Sequence, residues 1–227
     1  MMEIQSASQV VTPPLESGDR MSRFEFERRY QAMPHIKKAE LIEGVVYVAS
    51  PLRFRSHARP HGRIVTWLGT YEASTPQVAL GDNATVRLDL DNELQPDAIL
   101  LIQSAGGQAR LTEDDYVEGA PELVVEVAAS SAANDLYDKK NAYRRNQVQE
   151  YIVWQIFENK LDWFCLQAGE YVSLVPDADG VVRSQVFPGL WLAVPALLQQ
   201  DMVQVLAVLQ AGLNSAKHAE FVQKLSG

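Results

Sequence analysis

Glu126 stands inside PELVVEVA, residues 121–128, a valine-rich run that reads as a buried β-strand. A carboxylate placed there is costly unless something compensates its charge. Two further acids sit in similar surroundings. Asp97 follows Pro96 and opens DAILLIQ, and Glu40 lies in AELIEG. Strands usually give their inward positions to Val, Ile or Leu. Three acids beside such runs therefore call for a sheet and for a common partner, and one divalent cation would serve all three.

The rest of the chain fits a single mixed unit. Its 227 residues are enough to bury a full core, and a hydrophobic fraction of 47% is ordinary for a globular protein. Residues 1–20 read as an extended polar lead-in, residues 21–200 as one domain and residues 201–227 as a helical extension. A capping box of Ser22 and Glu25 predicts a helix over FERRYQAM, ended at Met33-Pro34. Lys38 to Val48 reads as a bulged strand or hairpin, SPLRFRSHARP as a loop, and His61 to Ser74 as an amphipathic helix. TVRLDLDNE, with a turn at Asp91-Asn92, and DAILLIQ follow as strands, and Asn134 to Asn146 turns helical. YIVWQIF with KLDWFCLQ, and EYVSLV with VVRSQVF, predict two hairpins before a mostly helical tail. The expected fold class is α/β (α+β): a central mixed sheet flanked by helices, with extra hairpins.

Composition narrows the function. A net charge of −9 argues against a protein that coats nucleic acid through a basic face, while leaving room for local gripping. One cysteine, Cys165, excludes an intrachain disulfide and reads as a small buried hydrophobe. No apolar run is long enough to span a bilayer and no signal-peptide core opens the chain, so a cytoplasmic protein without membrane partners is expected.

Hydrolysis of a phosphodiester needs an activated water and neutralised charge, which a carboxylate-held metal supplies with a lysine nearby. Strand side chains alternate, so Val124 shares the face of Glu126, while Val125 and Val127 take the other. After them, Asp135, Lys139 and Tyr143 recur at spacings of four, which places all three on one helical face. Lys140 lies about 100° around that helix and is the alternative lysine.

Read together, Pro96-Asp97, the Glu126-x-Ala128 strand and the DLYDKKNAY helix resemble the PD-(D/E)XK nuclease superfamily. More narrowly, AELIEG, the Ser50 to Ile64 segment, QPDAIL, GAPELVVEVAASS, DLYDKKNAY, QEYIVW and FPGLWL resemble, in order, a bacterial family called "putative restriction endonuclease". The resemblance implies a Mg2+- or Mn2+-dependent endonuclease acting on DNA, with a restriction-endonuclease-like fold and a homodimeric assembly. It implies Asp97 and Glu126 as metal ligands, Glu40 as a third acid and Lys139 as the catalytic lysine. His61, Arg63, Asp135 and Tyr143 would lie near phosphate or behind these residues. The chain departs from the superfamily at Ala128, where a lysine usually stands, and in a shortened turn, AASSAAND.

Each residue also has a plainer reading. Asp97 can be a strand-entry residue, Lys139 half of a surface ion pair with Asp135, and Glu43 can replace Glu40 as the inward acid. Pro60 argues against a continuous helix, and hence against a zinc pair, at His57 and His61. Arg53, Arg55, Arg59 and Arg63 are either a solvated loop or a phosphate-gripping edge. Trp154, Trp163, Phe164 and Trp191 read as core. Three functions compete: a metal-dependent nuclease, a nuclease-like fold that binds nucleic acid or protein without cutting, and an enzyme on another substrate such as RNA or a small phosphoester.

Overall fold

The computed structural model describes residues 12–129 and 132–226. Most of the proposed lead-in, residues 1–11, and Ser130-Ser131 of the shortened turn lie outside the described residues. The chain forms a mixed α/β fold around two six-stranded sheets. The first runs in the order β2 (Val45–Val48), β1 (Ala39–Ile42), β5 (Glu93–Leu94), β4 (Val86–Arg87), β8 (Val117–Glu118), β7 (Arg110–Leu111). The second runs β12 (Glu170–Ser173), β11 (Lys160–Gln167), β10 (Glu150–Gln155), β9 (Leu123–Ala128), β6 (Ala98–Ile102), β3 (Val78–Asp82). A small pair joins β13 (Val181–Arg183) to β14 (Trp191–Ala193).

Side-chain alternation sorts the second sheet into two cores. Val125, Val127, Ile152 and Trp154 face one way, onto α2 (Arg59–Glu72) and the C-terminal helices α5 (Val194–Leu198), α6 (Met202–Leu213) and α7 (Ala216–Ser226). Val124, Ala128, Tyr151 and Val153 face the other way, onto Ile42, Val86 and Leu94 of the first sheet. A third cluster, with Phe26, Leu41 and Val46, seats α1 (Arg23–Gln31) on the outer side of the first sheet. Val205, Leu209 and Leu225 belong to the first of these cores, so the C-terminal helices close it. Among the described residues no helix is long and apolar enough to cross a membrane.

Strands β9 and β10 are parallel neighbours, with Glu126 opposite Val153. A parallel pair needs a crossover. Here it consists of α3 (Ala132–Asn134), a π-helical turn Asp135–Lys139 and α4 (Lys140–Arg145), which buries Ala142 and Tyr143 on the Glu126 side of the sheet.

Several local expectations need correction. Ser22 makes no side-chain cap; Glu25 is instead held by Arg28 and Arg29, at 2.7 Å each. TVRLDLDNE turns back on itself close to the expected Asp91-Asn92 turn, which pairs β4 with β5. EYVSLV and VVRSQVF do not pair with each other: β12 extends the second sheet beside β11, and β13 pairs with β14. The segment expected as a loop contains a π-helical turn, Phe54–Ala58, that runs directly into α2. Pro60 does not break the run, because it stands at the junction where the π-turn passes into the first turn of α2.

Candidate active site

The candidate site is built between the two sheets. Glu40 shares a face of β1 with Ile42, while Ala39 and Leu41 point to the outer cluster. Glu126 shares a face of β9 with Val124 and Ala128. The two carboxylates therefore approach from opposing sheets. Asp97 stands one residue before β6, whose Ala98 pairs with Val125. That register lets Asp97 Oδ2 accept the Val127 N–H at 2.7 Å. All three acids are buried, with Asp97 and Glu126 each 3% exposed.

Lys139 ties the acids together. Its Nζ lies 3.0 Å from Glu126 Oε1, 3.0 Å from Glu40 Oε2 and 3.5 Å from Asp135 Oδ1. Tyr143, one turn on, donates its hydroxyl to the same Glu126 oxygen at 2.9 Å. Asp135, Lys139 and Tyr143 thus share one side of the crossover helix, as their spacing predicts. The two alternatives resolve as well. Lys140 lies over the Phe164 ring at 3.5 Å, away from the acids. Glu43 occupies the β1–β2 turn at φ 51° and pairs with Arg145.

The electrostatics follow from burial and crowding. Burial pushes the Glu126 carboxyl up to about 8; Lys139 opposes this, while Asp135, Asp97 and Glu40 add to it. Burial would lower Lys139, but Glu126, Glu40 and Asp135 outweigh it and hold the ammonium well above its ordinary range. Lys139 is therefore a fixed cation. Burial and the neighbouring Glu126 charge raise Tyr143, which keeps the hydroxyl protonated and able to donate. Asp97 goes the other way. Burial raises it, but His57, Lys38 and the Val127 N–H together bring it below the usual carboxylate range.

His57 and His61 both turn toward Asp97. His57 Nε2 lies 3.2 Å from Asp97 Oδ1. His61 Nε2 lies 2.8 Å from the Asp97 carbonyl oxygen and 3.1 Å from Asp82 Oδ1. Their rings sit 5.8 Å apart on the continuous π-turn and helix. The contact of His57 with Asp97 has no signal in the sequence, because a π-turn changes the residue count that sets the helical face.

A cleft of about 730 Å3 opens over these residues, lined among others by Lys38, Arg53, His57, Asp97, Glu126 and Lys139. His61 and Arg63 are not part of its lining, and neither are Arg55 and Arg59. Trp154, Trp163 and Phe164 are buried as expected, and Cys165 is buried with a free thiol.

The donor set suits a hard divalent cation. Mg2+ takes oxygen ligands, keeps several waters and is commonly held by one or two carboxylates. Among the described residues, however, no three His, Cys, Asp or Glu side chains converge as a ready-made metal cage. The Lys139 ammonium occupies the centre between Glu40 and Glu126, and Glu40 Oε1 also accepts the Gln95 N–H at 2.8 Å. Asp97, Glu126 and Glu40 are the carboxylates that could hold such a cation here.

Paired sheets carrying two strand-borne acids, with a lysine on the crossover, define a restriction-endonuclease-like class of protein. Residues 25–195 match the Uma2 family, described as "Putative restriction endonuclease", and the chain belongs to that family. A solved structure from Anabaena variabilis ATCC 29413, titled "a putative nuclease belonging to DUF820", shares the fold. Its TM-score is 0.54 at 13% identity, covering 80% of this chain and 97% of that one. No curated protein matches the chain.

Proposed function

We propose that the protein is a Mg2+- or Mn2+-dependent DNA endonuclease, with Asp97 and Glu126 as the metal ligands. The observation that carries this reading is the charge balance of the site: three buried carboxylates, Glu40, Glu126 and Asp135, converge on the ammonium of Lys139, with the buried Asp97 close enough to Glu126 to act on its charge. Such an excess of buried negative charge is tolerated poorly without a cation. A bound divalent ion would supply the Lewis acidity and the activated water.

The protein's own groups have separable roles. Lys139, held as an ammonium, cannot accept a proton from water; it orients the water and stabilises negative charge growing on the phosphate. Glu40 is the third acid; it fixes Lys139 and would join Asp97 and Glu126 in holding the cation. Tyr143 and Asp135 hold Glu126 and Lys139 in position. His57 braces Asp97. His61 anchors the Asp97 backbone, and Arg63 would meet phosphate only outside the cleft. Assembly as a homodimer belongs to the same proposal, and a solution mass of two chains by light scattering is its check.

The test is cleavage of DNA by purified protein in Mg2+ and Mn2+, alongside calorimetric titration of each metal. Asp97→Asn and Glu126→Gln, which keep shape and remove charge, should each abolish cleavage and weaken metal binding. Retained cleavage in either variant would refute the assignment. DNA binding with no cleavage and no metal uptake would instead favour the non-cutting interaction module.

A further inference from the structure

The cleft is divided in a way that catalysis alone does not require. Its floor carries the charged groups, whereas its walls carry apolar side chains. Tyr47, Val48, Pro51 and Leu52 come from β2 and the loop after it, and Phe157 comes from the turn that ends β10. Leu52 is 59% exposed and Phe157 is 65% exposed. What sets these two apart from other exposed apolar side chains is that they line the same cleft as Tyr47, Val48 and Pro51, a grouping of the kind that marks a ligand-binding groove. Leu52 follows a strand of the first sheet and Phe157 a strand of the second, and both line the cleft.

Charge points the same way. Three cations line the cleft, Lys38, Arg53 and Lys139, and Lys139 is held by the acids. Only Lys38 and Arg53 remain to meet phosphate, and Lys38 also donates to the Gln95 carbonyl at 2.6 Å. Duplex DNA is held mainly through neutralised phosphates, whereas single strands are held largely by bases stacking on aromatic groups. A volume of about 730 Å3 is that of a small-ligand site and accommodates a nucleotide.

We propose that the cleft contains a nucleobase subsite. An unpaired nucleotide, in a single strand or extruded from a duplex, places its base against Phe157 and Leu52, with its phosphate over Asp97 and Glu126. This rests on the nuclease reading, since that reading puts the phosphate on the acidic floor.

Binding without metal tests the subsite separately from cleavage. The probes are a fluorescently labelled single strand, the same sequence as a duplex, and an abasic strand of equal length, all at low salt. The single strand should bind at least tenfold more tightly than either control. Phe157→Ala should weaken single-strand binding by about 5- to 150-fold, the worth of one stacked base, and leave abasic-strand binding unchanged. Phe157 is exposed, so this variant should fold as the wild type does, and circular dichroism checks that. Tighter binding of the duplex, an equal loss for the abasic strand, or no binding of any probe would overturn the subsite. Duplex cleavage with no preference for unpaired bases would leave the nuclease reading standing and remove the subsite. Base-dependent binding with no cleavage under any metal would do the reverse.

Discussion

Lys139 shows what a single residue can disclose from sequence. Its spacing from Asp135 and Tyr143 specified a common helical face, and the three side chains do meet on the Glu126 side of the sheet. The spacing could not specify how deeply they are buried, since depth depends on the first sheet closing over them through Glu40. His57 was invisible for a different reason: its approach to Asp97 depends on a π-turn that no periodicity announces. Burial makes Lys139 a sensitive probe. Lys139→Met leaves Glu40, Glu126 and Asp135 without their ammonium, and removing one partner of a buried pair typically costs about 3–5 kcal/mol. The metal-free variant should therefore melt well below wild type. Millimolar Mg2+ should restore part of that loss, because a bound cation replaces the missing charge, and should shift wild type less. Cleavage should be lost in both conditions. Equal Mg2+ shifts in the two proteins, read by thermal unfolding, would contradict a cation site next to Lys139.

At the level of elements, the strands of the second sheet were legible because each carries a continuous or alternating apolar run. Their partners were not always legible. EYVSLV and VVRSQVF lie close in sequence across a turn, yet β12 joins β11 while β13 joins β14. The FPGLWL motif explains the second pairing. Gly189 adopts φ 89°, and its backbone meets α6 at Gly212, where an added Cβ would stand 2.2 Å from the Gly189 oxygen. Gly212→Ala should push α6 away from β14 and cost about 1–3 kcal/mol in chemical denaturation, as overpacking does elsewhere. A second element-scale prediction concerns α1 on the first sheet. Burial, followed by its hydrogen-bonded neighbour Glu27, pushes Glu93 up to about 8, with Arg87 and Arg23 opposing. A folded-state value above the unfolded one means that the folded chain binds the extra proton. The stabilisation is thus complete below about pH 4.5 and is lost as pH rises toward 8. Unfolding free energies from urea titrations should fall between pH 5 and pH 9, by at most about 1.4 kcal/mol per pH unit from this group. Glu93→Gln should flatten that slope, and an equally steep slope in the variant would place its origin in another buried acid.

The whole molecule carries an acidic balance of −9 and yet belongs to a family described by an activity on nucleic acid. Composition alone made that combination look unfavourable, because charge counted over a chain does not say where it sits. Much of the acid is turned inward: Glu40, Asp97, Glu122, Glu126, Asp135 and Glu150 are all buried. Among the described residues, the cleft-lining Lys and Arg side chains other than Lys139 are Lys38, which also acts on Asp97, and Arg53, while Arg55, Arg59 and Arg63 lie outside the lining. Salt dependence distinguishes the two ways of gripping a strand. Two phosphate contacts on a single strand give a slope of log K against log salt near −1.4, so raising salt from about 50 to 200 mM should weaken binding by roughly sevenfold. Engagement of the outer arginines as well, about five contacts, would steepen the slope to near −3.5 and cost about a hundredfold over the same range. The cleft-only arrangement predicts the shallow value, together with an unchanged slope in an Arg55→Ala, Arg59→Ala, Arg63→Ala triple variant. Anisotropy titrations of a labelled single strand at four salt concentrations measure both. A steep slope that flattens in the triple variant would move the grip from the cleft to the outer flank of α2 and the π-turn before it.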